Sequence, residues 1–203
     1  EDLGPAVLAF VTQSETRDPL FSLTVKTGQN QMPPVSRLTY ILKQWILDDL
    51  SASETGLLRF QESTSFPGDV SASAIREQVT VEVNGTYKTD PNFVMGGQAT
   101  VLRSTGRYVP PGESVSIRVP ESATGHGLSA RVGIHWADLE RNYFEFNRFP
   151  RISRSFPLDS TEVNIDNPLG GALYIEVEDG TDLGMLEIQV SGAVEMPTYS
   201  RKG

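Results

Sequence analysis

Apolar and polar residues alternate in short runs through most of the chain. Val79, Val81 and Val83 alternate with Thr80 and Glu82, and Val115, Ile117 and Val119 with Ser114, Ser116 and Arg118. A period of two puts every second side chain on one face, as a half-buried strand requires. The same pattern recurs over 128–134, and further short strands are expected at 99–103, 162–165, 172–177 and 185–191. Turn signals separate them: Asn84-Gly85, Pro111-Gly112, Asn167-Pro168, Gly170-Gly171, Asp179-Gly180 and Leu183-Gly184. In Pro111-Gly112 the proline fixes φ for a turn's second residue and the glycine accepts the positive φ of a type II turn. Strands of this length with turns every ten or so residues predict a mainly β fold, an antiparallel two-sheet β-sandwich over 66–195.

Residues 1–65 read differently, as a small helical N-terminal segment. Leu38, Ile41, Leu42, Trp45 and Ile46 recur at the spacing of one helix face, which predicts a helix over 35–50. Ser36 is placed to cap its start. Asp48 and Asp49 stand at its end, where the helix dipole disfavours them. A second short helix is expected over 53–62, returning Leu57, Leu58 and Phe60 onto the first, and 5–11 leans helical. Residues 196–203 read as a linker.

Charge narrows the partners. Lys and Arg total 17 against 26 Asp and Glu, giving −9, which argues against a phosphate-backbone partner. With no cysteine there is no disulfide, thiolate nucleophile or Cys-bound metal. No apolar run is long enough to span a membrane. The first residue is Glu rather than Met, as expected of a trimmed chain. Asn84-Gly85-Thr86 is a formal glycosylation sequon, read first as a turn.

Candidate chemistry is sparse. His135 precedes Asp138 and Glu140, but a metal site needs three or four convergent ligands, so His135 reads as a strand-end histidine. Asp179-Gly180-Thr181-Asp182 is the best local calcium candidate and also an ordinary hairpin turn. The Gly96-Gly97 stretch lacks the Lys-Ser/Thr of a phosphate loop. The densest cluster is aromatic: Trp136, Tyr143, Phe144, Phe146 and Phe149 stand beside Arg141, Arg148, Arg151 and Arg154. The first reading is packing or inter-domain docking. The second is contact with a glycan, with Trp136, Tyr143, Arg148 and Arg151 as candidate ligand-binding residues: rings stack on a pyranose while polar groups fork to its hydroxyls.

Several segments carry a family resemblance. STGRYVPPGESVSIRVP, RVGIH, RFPRISRSFPLDSTEVNI and NPLGGALYIEV follow one another from Ser104 to Val177, after Phe66-Pro67-Gly68-Asp69-Val70 and VTVEVNG. Together they resemble the non-catalytic β-sandwich that precedes the zinc site in enhancin-like zinc metallopeptidases, secreted or bacterial surface enzymes that cleave mucins and other glycoproteins. The resemblance covers 66–203. That family's chemistry needs His-Glu-x-x-His, two histidines one helical turn apart holding zinc with the glutamate as general base. The only histidines here, His126 and His135, are nine residues apart and neither is followed by Glu. The resemblance therefore implies a chain that is not itself an enzyme and holds no cofactor. It would be an accessory module bracing its own C-terminal catalytic domain, with zinc there, a glycoprotein substrate, no nucleic acid and no membrane insertion. The alternatives are a stand-alone carbohydrate- or glycoprotein-binding module and a purely structural domain of a surface protein.

Overall fold

A computed structural model describes residues 4–15, 19–21, 26–55, 58–90, 99–135, 139 and 144–197. Three helices come first: α1 (Gly4–Ser14), α2 (Pro34–Asp49) and the single turn α3 (Ala52–Thr55). Eight strands follow: β1 (Glu77–Thr86), β2 (Thr100–Val109), β3 (Val115–Arg118), β4 (Leu128–Val132), β5 (Arg154–Pro157), β6 (Glu162–Ile165), β7 (Gly171–Glu178) and β8 (Asp182–Glu195). The fold is thus mainly β and antiparallel, behind a helical segment, as the sequence pattern implies.

The expected pair of separate sheets is instead one hydrogen-bonded sheet of barrel-like curvature, in the order β5-β4-β7-β2-β8-β3-β6, with β1 also on β8. The long strand β8 makes the join. Val190 faces Val79 of β1 on one side and Ile117 of β3 on the other, while Val194 pairs with Tyr108 of β2. Between them Gly192 takes φ 96°, and the register slips there, Ser191 facing Gln78 and Ala193 facing Glu77. This is a bulge at a residue without a Cβ, which bends a strand and redirects its pairing. Side chains bridge β1 and β2. Arg103 donates to the carbonyls of Asn84 and Thr86 at 3.2 and 3.0 Å, and Arg107 pairs with Glu77 at 2.6 Å.

The alternating positions fill one core. Leu173, Ile175 and Val177 of β7, Leu128, Ala130 and Val132 of β4, Val115 and Ile117 of β3, and Ile188 and Val190 of β8 are all buried together. A second cluster joins the two parts of the chain: Phe21, Tyr40, Ile46 and Phe60 pack with Phe146, Phe149, Ile152 and Leu169.

The helical segment departs from expectation in three ways. Pro34 occupies the first helical position of α2 and Pro33 the cap, so Ser36 caps nothing; the fixed proline φ starts the helix. The 53–62 helix is reduced to α3 and a 3-10 turn at Gln61–Thr64, because Phe60 gives its N–H to Pro168 O at 2.9 Å instead of to a helical carbonyl. Leu57 lies outside the described residues. The buried face of α2 is Thr39, Tyr40, Lys43, Ile46 and Leu47, whereas Leu38 and Ile41 are exposed. The polar members are satisfied internally, which lets that face turn inward.

Candidate functional site

The segment following β4 carries the aromatic–arginine cluster, and it divides. Phe146 and Phe149 point inward. Phe149 lies edge-on to Phe21 at 4.9 Å between ring centroids and stacks on Tyr40 and Phe60 at 5.8 and 5.9 Å. Lys43 Nζ lies 4.7 Å from the Phe60 centroid and donates to Glu62 Oε2 at 2.8 Å. It also pairs with Glu15. Glu62 accepts from Leu20 N–H at 2.8 Å and Glu15 from Gln61 N–H at 2.6 Å. Burial, opposed by Lys43, holds the Glu15 carboxyl above its ordinary range.

Arg148 and Arg151 are occupied by the protein itself. Arg151 forms an ion pair with Asp48 at the end of α2, offsetting the dipole cost expected there. Arg148 donates to Phe149 O at 2.8 Å, and its guanidinium sits 5.6 Å from the Phe66 ring centroid. Burial pushes the Arg148 pKa down. His135 leans on the same ring at 5.8 Å, its pKa lowered by burial and then by Arg148. Trp136 and Tyr143 lie outside the described residues. Arg154 is buried, paired with Asp166, and donates to Leu50 O, while Thr55 donates to the other Asp166 oxygen. Arg151, Arg154 and Asp166 thus tie the helical segment to the β part. The packing reading describes the inward half of the cluster.

Phe144 is the exception, with 95% of its surface exposed. It stands at a cleft of about 500 Å³ whose other walls are Lys26, Gly28, Asn30, Gln31 and Glu145. Gln31 donates to Glu145 Oε1 at 2.5 Å across 114 positions of sequence. The residues of 26–31 carry no motif that would have singled them out. A second opening, a groove of about 490 Å³, lies where β8 ends. Tyr108 and Val194 line it together with Pro67, Val70, Ile75 and Met196. Tyr108 Oη donates to Gly68 O at 2.7 Å, and burial with the nearby Asp69 pushes its pKa up to about 12.

The acidic turn is used structurally. Asp179 accepts from Thr89 N–H at 2.6 Å and Asp182 from Thr86 Oγ1 at 2.9 Å. Among the described residues no three His, Asp or Glu side chains converge on a metal position. Among them, too, no helix is long and apolar enough to cross a membrane.

Residues 72–191 match the sequence family described as the N-terminal domain of M60-like peptidases. Human TRPM8 channel-associated factor 2 is 30% identical over 124 residues, covering 61% of this chain and 12% of that protein. Human TRPM8 channel-associated factor 1 is 35% identical over 121 residues, covering 60% and 12%. The chain thus spans about an eighth of the length of these relatives. Among solved structures, the IMPa metallopeptidase of Pseudomonas aeruginosa aligns over 95% of this chain and 23% of its own, at 14% identity and TM-score 0.45. IMPa has also been solved in complex with an O-glycopeptide, aligning at 16% identity and TM-score 0.44 over 97% of this chain and 24% of that one.

Proposed function

Because the chain belongs to the family of N-terminal domains of M60-like peptidases, we propose that it is the non-catalytic accessory module of a secreted zinc metallopeptidase acting on mucin-type glycoproteins. In this reading it braces a catalytic domain and shapes the substrate's path to it. The family match over 72–191, which takes in most of the sheet, carries the proposal. The residues present do not suit a zinc centre. His126 holds Thr124 O at 2.8 Å on the surface and His135 rests on Phe66, with no partner histidine one turn away. The zinc and the general base are therefore assigned to another part of the parent protein.

A rigid support suits the interior described above. The buried Arg154–Asp166 network and a shared aromatic cluster hold the helices to the sheet. The buried Lys43–Glu62 pair ties the helical segment to itself, and a brace is useful only if its own elements do not shift. Zinc content and cleavage of a mucin-type glycoprotein should be measured for this 203-residue chain and for a form extended through the following codons of its gene. The expected result is one zinc and cleavage in the extended form alone. An extended form with neither overturns the accessory reading. It would favour the alternative of a stand-alone glycoprotein-binding module, the reading to which the outward-facing Phe144 lends support.

A further inference from the structure

We propose that the cleft between residues 26–31 and 144–145 is a binding site for a neutral pyranose, with the Phe144 ring stacked under one face of the sugar. Three observations carry this. First, Phe146 and Phe149 are 4% and 1% exposed, while Phe144, on the same segment, is 95% exposed. Second, the cleft beside it has a volume of about 500 Å³, within the roughly 300–1,000 Å³ of small-ligand sites. Third, apart from Phe144 and Gly28 the walls are polar: Lys26, Asn30, Gln31 and Glu145. A site for an apolar peptide would surround its anchor with further apolar groups. One ring set among amide, ammonium and carboxylate groups instead matches a ligand with one apolar face and a rim of hydroxyls.

The base of the cleft is built rather than incidental. Thr27 N–H donates to Phe146 O at 2.9 Å and Phe146 N–H to Thr27 O at 3.2 Å, so the two walls are hydrogen-bonded to each other. Gly28 permits the approach, since a Cβ there would lie 2.5 Å from Phe144 O. Gln31 is held at Glu145 by its 2.5 Å bond, with its amide oxygen 3.4 Å from Gly28 N. Lys26 and Glu145 carry opposite charges, which favours an uncharged ligand over an acidic sugar. The site does not depend on whether a catalytic domain follows in the parent protein.

The ¹⁵N-labelled chain should be titrated with methyl β-galactoside, methyl β-glucoside and methyl α-mannoside, with N-acetylneuraminic acid and glycerol as comparators, following amide shifts. At least one neutral pyranoside should bind with Kd of ~1–20 mM, as one stacking face and a few hydrogen bonds allow. The shifts should centre on Gly28, Gln31 and Glu145. F144A should weaken binding at least ~10-fold. F144W should keep it and Q31A should weaken it less. Phe144 is 95% exposed and belongs to neither core cluster of the described residues, so the spectrum of F144A should otherwise be that of the parent chain. Absence of shifts with every pyranoside, equal binding by F144A, or tighter binding of the acidic sugar or of glycerol overturns the proposal. None of these outcomes bears on zinc or proteolysis in the extended protein, so this site and the accessory role fail separately.

Discussion

One ammonium serves two carboxylates in the helical part, and the arrangement is unequal. Lys43 and Glu62 are 2% and 3% exposed and form the well-seated pair at 2.8 Å. Glu15 is the surplus negative charge beside them. Its pKa is raised, burial outweighing the attraction of Lys43, and Glu62 adds to the rise. A raised carboxyl pKa means that the fold binds a proton more tightly than the unfolded chain does. Stability from this group is therefore full below the ordinary 4.5 and is lost as pH rises through the raised value. Glu15→Gln removes the charge and keeps an acceptor for Gln61 N–H. In urea unfolding at pH 7 the variant should match or exceed the parent by up to ~1 kcal/mol, and the difference should vanish as pH falls toward the ordinary carboxyl range. A loss above ~2 kcal/mol at pH 7 would show instead that Lys43 needs both anions.

The continuity of the sheet rests on β8, and β8 rests on Gly192. With φ 96° and a Cβ position 3.1 Å from Ser114 O, Gly192 has neither the conformation nor the room for a side chain. Gly192→Ala should cost ~1–3 kcal/mol in thermal or denaturant unfolding. Gly184→Ala, at φ 67° with open space around it, should cost less. Equal losses would mean that the bend is not confined to the bulge. Much of this sheet is legible in sequence. The strand expected at 162–165 is β6 itself, and Val115, Ile117, Leu173, Ile175 and Val177 are buried as period-two positions should be. The way β8 carries the pairing from β1 and β3 across to β2 is not legible, because a bulge glycine reads like a turn glycine. Helix α2 was legible in extent but not in facing. Its inward face includes Thr39 and Lys43, and Lys43 becomes an interior residue only through carboxylates 28 positions before it and 19 after it in the chain. For the same reason Arg151 reads as available in sequence. The partner of Arg151 lies 103 residues away, a distance at which local pattern carries no information.

The helical segment and the sheet share an interior, and this decides how the chain should behave when divided. Phe149 is covered by Phe21, Tyr40 and Phe60. Arg154 satisfies Leu50 O, and Asp166 takes the hydroxyl of Thr55. Cutting at the compositional boundary near residue 65 would remove the covering rings and both of those partners together. Uncovering Phe146, Phe149, Ile152 and Leu169 forfeits ~1.5–3 kcal/mol for each side chain fully exposed. The sum rivals the ~5–15 kcal/mol that holds a whole domain together. The Arg154–Asp166 pair would remain, but partly hydrated and without its auxiliary hydrogen bonds. A fragment of residues 66–197 should therefore show no cooperative thermal transition near that of the full chain, and it should bind a hydrophobic dye at 25 °C, a temperature at which the full chain does not. If the fragment instead melts cooperatively within a few degrees of the parent, the helical segment is an independent unit resting on the sheet. The aromatic cluster would then be a surface contact between domains rather than a core.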